Sequence, residues 1–456
     1  MCGILVYNRP PENFEFLQTE VRNRGPDYSG CVCSNGFVLE SSVLSLCLPF
    51  TPQPVADDRG VLCYNGQLYS ACGQDTELFR NAVARNVDAV HEFEGEFAFV
   101  YLDRATQKIY FGRDRGGRRS LCFLHDKQSG QLVVSSIGGA GFAECDGGGI
   151  VYVYDLDTHE LEQHAAPLPF DFEISWQVHG VDPDSGAAAL RTALREAVAR
   201  RCTRPPGERI AVLFSGGLDC TLVAALLDEV LDAGVQVDLL NVAFENRRTN
   251  SLYDTPDRVL ARRSYQCLRE RSARFTLLEI DVPYEETQAH KERVQQLMLP
   301  TATVMDLSIA VAFYFATRPR AGDPKILLSG LGADELFAGY SRHTSAAADP
   351  ARLANELAFD FLRLPHRNLG RDDRVVASWG RELRYPFLDG EVVKLAMGLP
   401  LDLKTDGVTT KRVLRAVAAQ MGLATVVHEK KRAIQFGARS AKMDPGSGNS
   451  RGHHSL

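Results

Sequence analysis

Several absences narrow what this chain can do. It has no basic excess: 51 Lys and Arg stand against 58 Asp and Glu, a net charge of −7. The electrostatic footprint of a nucleic-acid binder is therefore missing. There is no long hydrophobic run either. The most apolar stretch, Val304 to Phe315, contains Asp306 and is too short to span a bilayer, which predicts a buried core helix and no membrane partner. The opening Met1 to Tyr7 is apolar but lacks basic flanks and a cleavage site, so it does not read as a signal peptide. The cysteines, 11 in all, show no paired ligand spacing. They point to free thiols in a reducing compartment, and the expected location is cytoplasmic. Cys31-Val-Cys33 is too tight for a zinc knuckle and reads as half-buried strand. Gly-x-x-x-x-Gly-Lys-Ser/Thr is also absent, which excludes the phosphate loop of kinases and GTPases.

What is present suits a globular protein of two or three domains: 456 residues, 45% hydrophobic and 24% charged. The chain is organised around Arg209-Ile-Ala-Val-Leu-Phe-Ser-Gly-Gly-Leu-Asp-Cys220. Ile210 to Phe214 reads as a buried parallel strand, and Leu222, Val223, Leu226, Leu227 and Val230 recur at helical spacing after a glycine turn. Such a turn lets backbone N–H groups approach an anion at a helix N-terminus, and Asp219 could share a cation with phosphate oxygens. Ser215-Gly216-Gly217-x-Asp219 resembles the PP-loop of the ATP pyrophosphatases, which cleave ATP between the α and β phosphates.

Residues before about 160 carry short alternating runs broken by Gly, Pro and Asn, with one clear helix after Asp75 that places Leu78, Phe79, Ala82 and Val83 on one face. This predicts a sandwich with few helices. Cys2 becomes N-terminal once Met1 is removed, and its own α-amine, titrating near neutrality, can then activate the thiol. Cys2, Arg24-Gly-Pro-Asp27, Tyr64-Asn-Gly66, Gln74-Asp75, Gly95-Glu-Phe-Ala-Phe99 and Gly112-Arg-Asp114 stand in the order found in class II glutamine amidotransferases. That resemblance implies an α+β, Ntn-type sandwich in which Cys2 attacks the glutamine side-chain amide and releases ammonia. It also implies an oxyanion hole from Asn65 and the N–H of Gly66, and glutamine binding by Asn65, Gly66, Gln67 and Asp75.

Proline- and glycine-punctuated sequence from 165 to 186 reads as a linker between a first domain (1–164) and a second (187–442); the low-complexity tail 443–456 is expected to be disordered. The strands Val237–Phe244 and Arg274–Ile280 alternate with helices, giving an α/β doubly wound parallel sheet with its ligand at the C-terminal strand ends. Lys325 to Tyr340 repeats the pattern: a buried strand, a small-residue turn at Ser329-Gly330, then Asp334 and Glu335, a pair of acids able to hold Mg²⁺ against pyrophosphate.

Ser215 to Asp219, Ser329 to Tyr340 and Glu382-Leu-Arg-Tyr-Pro-Phe-Leu-Asp389 stand in the order of the asparagine synthetase C-terminal domain. Asn368 to Asp373 and Lys431 to Gly437 look most like the eukaryotic asparagine synthetase domain-containing branch. The resemblance implies that Leu213, Ser215, Gly216, Gly217, Asp219, Val242, Ser329 and Gly330 bind ATP. It places Mg²⁺ on Asp219 and Asp334 and makes Lys431 the catalytic cation. The substrates would be glutamine, aspartate and ATP, and the products asparagine, glutamate, AMP and pyrophosphate; homodimer formation is left open.

Two departures stand out. The family places an arginine between its Arg-Gly-Pro-Asp and Asn-Gly motifs to clamp the glutamine α-carboxylate. Val38 to Phe50 holds no basic residue, Cys47 falls at that position, and Arg59 is the candidate replacement. Leu331 replaces the glutamate of Gly-Glu-Gly-Ala-Asp-Glu, and a leucine can neither deprotonate ammonia nor position an adenylate. A catalytically degenerate pseudoenzyme that binds nucleotide or a partner, and a ligase for a carboxylate other than aspartate, are the alternative readings.

Overall fold

The computed structural model describes residues 2–69, 75–164, 182–245 and 252–442. Gln74, most of the expected linker and the tail after Lys442 lie outside the described residues. The N-terminal half holds two six-stranded antiparallel sheets. In the first, Cys2–Tyr7 lies between Phe37–Val43 and Gln131–Ser135; in the second, Gly95–Asp103 lies between Gly60–Leu68 and Lys108–Arg113. Alternation along the strands sorts their side chains by face. Ile4, Val6, Leu39 and Val134 from the first sheet share one buried core with Cys63, Val100, Phe111 and Tyr152 from the second, so the sheets pack face to face.

The outer faces are covered by helices. Leu17 and Val21 of helix Phe14–Arg24 pack with Leu5, on the outer side of the first sheet. Phe79 and Val83 of helix Asp75–Val83 pack with Leu62, Phe97 and Phe99, on the outer side of the second. The face of that second helix is not the one its spacing suggested: Leu78 is 41% exposed, while Thr76 is buried beside Phe79 and Ala82. Cys31-Val-Cys33 lies on a half-buried strand, as its sequence predicts. Strand Tyr28–Ser34 is the edge of its sheet, and both thiols face outward while Val32 is partly covered.

The C-terminal half is built on a five-stranded parallel sheet in the order Phe275–Val282, Val237–Phe244, Ile210–Leu213, Ile326–Leu328, Glu382–Arg384. Chain order therefore reverses direction between Ile210–Leu213 and Ile326–Leu328. That reversal opens a crevice at the C-terminal strand ends, where doubly wound sheets take their ligands. Both motif turns, Ser215-Gly216-Gly217 and Ser329-Gly330, fall there. Helix Pro183–Arg200 starts inside the stretch read as linker, because Asp182 caps it by accepting from the Ser185 N–H at 2.9 Å and Pro183 suits its first turn. Helix Val304–Ala316 is the buried core helix its composition predicts. Its Asp306 is tolerated because Arg371 donates to it at 2.5 Å.

The two halves meet across buried ion pairs. Arg24 bonds Asp373 at 2.7 Å, Arg119 reaches Glu96 at 3.1 Å and Glu382 at 3.6 Å, and Arg201 joins Glu96 at 2.9 Å to Asp389 at 2.7 Å. Burial alone would raise the Glu96 carboxyl, but Arg201, Arg119 and Arg118 outweigh it and hold it below the usual range. Removing one partner from such a set leaves an uncompensated buried charge. The halves are thereby held in one relation, with Glu382 and Arg384 of the edge strand reaching the N-terminal site.

Candidate functional sites

The first site lies where the two antiparallel sheets converge at Cys2. Pairing of Cys2 with Val43 places the thiol at the end of its strand, and the Cys2 N–H donates to Asn65 Oδ1 at 2.7 Å. That bond orients the Asn65 amide and leaves its buried Nδ2 without a hydrogen-bond partner. Gly66 is required by close packing: a Cβ there would lie 2.3 Å from the Glu96 carbonyl oxygen. A cavity of about 60 Å³ is lined by Cys2, Cys47, Gln53, Gly66, Gln67 and Asp75, with Glu382 and Arg384 from the other half. Gln67 Oε1, like Asn65 Nδ2, is buried and unpartnered. Burial raises the Cys2 thiol pKa. Burial also pushes the Asp75 carboxyl up to about 6, with the charge of Glu382 adding to it and the Thr76 N–H opposing.

Thus Cys2, Gly66, Gln67 and Asp75 line one cavity, and Asn65 holds the Cys2 backbone beside it. Cys47 also lines it, from the loop after strand Phe37–Val43. Arg59 does not replace the expected arginine. It is exposed, in the turn that leads into strand Gly60–Leu68, and lies off the cavity. Gln53 carried no sequence signal; its Nε2 lies 3.9 Å from Cys2 Sγ, and its Oε1 accepts from the Tyr64 N–H at 2.7 Å.

The second site is the crevice of the parallel sheet, a cavity of about 270 Å³. Leu213, Ser215, Gly217, Asp219, Val242, Ser329, Gly330, Asp334 and Lys431 all line it. Gly216 serves the turn instead. Its φ is +77°, and a Cβ would lie 2.4 Å from the Ala261 nitrogen. Helix Leu218–Val230 begins at Gly217 with no side-chain cap, so its first N–H groups remain available at the positive end of its dipole. The two motif turns touch: a Cβ on Gly330 would lie 2.8 Å from Asp219 Cβ.

The acids here are already engaged by cations. Lys411 Nζ lies 2.6 Å from Asp219 Oδ2 and 2.7 Å from Asp334 Oδ1, and Lys431 bonds the other Asp334 oxygen. Lys431 also sits over the Tyr340 ring, 4.3 Å from its centroid. Burial and the neighbouring Asp334 charge raise the Asp219 carboxyl against the pull of Lys411. For Asp334, burial is outweighed by Lys411 and Lys431, which hold it well below the usual range. Asp219 Oδ1 is buried without a hydrogen-bond partner. Glu335, expected to act with Asp334, turns away: it accepts from Tyr340 Oη at 2.5 Å and lines neither cavity. Leu331 lines the crevice, so its apolar side chain stands at the site itself.

Sequence reasoning missed Lys411, which lies 192 positions from Asp219 and takes a left-handed backbone (φ 54°) before an amphipathic helix. It also missed Arg371, which joins Asp306 at 2.5 Å to Asp372 at 2.8 Å on the crevice wall. The π-helical turn Pro365–Leu369, a distortion frequent at functional sites, brings Arg367 and Asn368 to the same crevice.

An N-terminal cysteine pocket and a parallel-sheet crevice in one chain define a two-site protein of the amidotransferase class. The glutamine amidotransferase domain model matches residues 1–147, and the asparagine synthase model matches 189–354 and 346–450. The chain belongs to the asparagine synthase family. It is 37% identical to an asparagine synthetase domain-containing protein of Saccharomyces cerevisiae over 97% of this chain and 96% of that protein. A Drosophila melanogaster protein of the same description is 29% identical over 97% and 98%, and asparagine synthetase domain-containing protein 1 of Homo sapiens is 27% identical over 97% and 96%. No described helix is long and apolar enough to cross a membrane.

Proposed function

We propose that the chain is an ATP-dependent amide ligase fed by its own amidase. The N-terminal site releases ammonia from a glutamine side-chain amide, and the C-terminal site activates a carboxylate with ATP for ammonia to attack. The carrying observation is the meeting of Ser215-Gly-Gly, Ser329-Gly330, Asp219 and Asp334 at the reversal point of the parallel sheet. The uncapped helix N-terminus and the backbone of the two turns suit a triphosphate, and the apolar wall with Val242, Ile309 and Phe313 suits a base.

Asp219 and Asp334 would hold Mg²⁺. Their oxygens suit a hard cation, and Asp219 Oδ1 has no other hydrogen-bond partner. No third His, Cys, Asp or Glu joins them among the described residues, so phosphate and water would complete the shell. Bound there, the ion would neutralise charge on the departing pyrophosphate. Lys431, 25% exposed, is placed to meet negative charge developing at the α-phosphorus, while the more deeply buried Lys411 keeps the two carboxylates together. In the N-terminal site, Asn65 Nδ2 would stabilise the oxyanion formed when Cys2 adds to the amide.

The test is pyrophosphate release by the full chain given MgATP, a panel of carboxylates including aspartate, and either glutamine or ammonia. Carboxylate-dependent pyrophosphate supports the ligase; none with either nitrogen source removes it. Leu331 and the lysine already seated between the two acids favour a second reading, nucleotide binding without turnover. Tight MgATP binding with no pyrophosphate would select that reading.

A further inference from the structure

Building on the reading of Cys2 as an amidase nucleophile, we propose that its amide donor is an N-terminal glutamine residue of a peptide rather than free glutamine. The two differ in one group. Both carry an α-ammonium and a side-chain amide, but in the peptide the α-carboxylate is replaced by a neutral peptide carbonyl.

The charges around the cavity make this choice. Asp75 supplies the anion for an α-ammonium. Among the described side chains lining the cavity, Arg384 is the sole cation, and it is committed: its Nε donates to Glu382 Oε1 at 2.6 Å and its Nη1 to the carbonyls of Arg201 at 2.6 Å and Thr203 at 2.8 Å. Cys47 stands where a carboxylate clamp would, and Arg59 is exposed elsewhere. A free amino acid would bring a carboxylate next to Asp75 and Glu382 with no uncommitted counter-charge; a peptide linkage brings none. The two unpartnered buried atoms, Asn65 Nδ2 and Gln67 Oε1, are a donor and an acceptor, which matches a carboxamide.

The mouth of the cavity supplies the second argument. Leu48 is 64% exposed, Phe50 39% and Tyr28 37%, three of the eleven large apolar side chains exposed among the described residues. Leu48 lies between the lining residues Cys47 and Pro49, Phe50 itself lines the cavity, and Tyr28 packs edge-on against Phe50 at 5.6 Å. An apolar rim at the entrance suits the next side chain of a peptide and has nothing to meet on free glutamine.

The chemistry balances with water alone. The Cys2 sulfur bonds to the side-chain amide carbon, the thiol proton passes through the freed α-amine of Cys2 to the departing nitrogen, and the C–N bond breaks to release ammonia. Water then adds to the thioester, regenerating the thiol and leaving an N-terminal glutamate on the peptide.

The experiment uses full-length protein whose N-terminal cysteine has been verified by mass spectrometry. Ammonia release is compared for Gln-Leu-Gly, N-acetyl-Gln-Leu-Gly and free glutamine, with a Cys2→Ala blank to subtract spontaneous cyclisation. The glutamyl product is separated from pyroglutamyl peptide by mass. The expected result is a kcat/KM for Gln-Leu-Gly at least tenfold above that for free glutamine, with activity lost on acetylation. Cys47→Arg should move the ratio at least tenfold toward free glutamine. A folding failure of that variant leaves the wild-type ratio to decide. A peptide advantage under tenfold, or a preference for free glutamine, overturns the proposal while leaving the amidase reading intact. No ammonia above the blank from any of the three overturns the amidase reading itself.

Discussion

The two sites solve opposite electrostatic problems. The N-terminal cavity is short of positive charge: it has Asp75 and Glu382, an arginine already spent on Glu382, and two unpartnered amide atoms. The crevice of the parallel sheet has cations in hand, with Lys411 and Lys431 seated on Asp219 and Asp334. On the proposed function, the first would receive an ammonium and a neutral amide, the second a polyanion with its own metal. In both, the glycine turns and most of the polar residues named by the resemblance are kept, and what departs is a single side chain, Cys47 or Leu331. Backbone geometry is shared by the whole fold, whereas one side chain can change without disturbing its neighbours.

If the sites are as distinct as this, they can be broken separately. The largest effect is expected from Asp219→Asn, which should lower carboxylate-dependent pyrophosphate release about 10³-fold while amide hydrolysis stays unchanged. Asn65→Ala should do the reverse. It removes the unpartnered Nδ2 donor and should lower ammonia release about 10²-fold, with ammonia-supported pyrophosphate release intact. Loss of both activities in either variant would mean that the sites are not separable.

Arg201→Met strikes the junction. It leaves Glu96 and Asp389 buried without their shared arginine and should cost about 3–5 kcal/mol in denaturant unfolding. An unchanged unfolding midpoint would show that the two halves are not held by these pairs.

A smaller effect sharpens the N-terminal half. Because burial pushes Asp75 up to about 6, its carboxyl is neutral below that pH and cannot hold an ammonium. The kcat/KM for an amine-bearing donor should fall about tenfold per pH unit below 6, and Asp75→Asn should flatten that limb. The sign for stability is opposite. The unfolded chain loses this proton near 3.8, so the group makes the folded state less stable as pH rises from 3.8 to about 6.

Much of this was legible because strands and glycine turns write themselves locally. Ile210 to Leu213, Val237 to Phe244 and the Ser-Gly turns depend on period and residue type over a few positions. Edges were less clear. Alternation at Cys31-Val-Cys33 marked a strand with two unlike faces, not that it would close its sheet as an edge. Leu78 was misread for a related reason: the helical spacing admits two overlapping stripes, and tertiary packing chose the one with Thr76.

The junction and the cation between the acids were not legible at all. Arg24, Arg119 and Arg201 are fully buried, and nothing in a single sequence separates them from the surface arginines that are the usual case. Lys411 reads as the polar start of an amphipathic helix; only the closure of the sheet brings it to Asp219. The available signal was the departure itself. A chain that keeps Asn65, Gly66 and Asp75 yet carries Cys47 is asking what replaced the carboxylate clamp, and among the described residues lining the cavity no uncommitted cationic side chain did.

The most direct test of the central claim is titration calorimetry of the full chain with ATP, with and without Mg²⁺. The account predicts saturable one-to-one binding of MgATP that weakens without the metal and is lost in Asp219→Asn. No heat of binding from folded protein, or binding that survives that substitution unchanged, would contradict it.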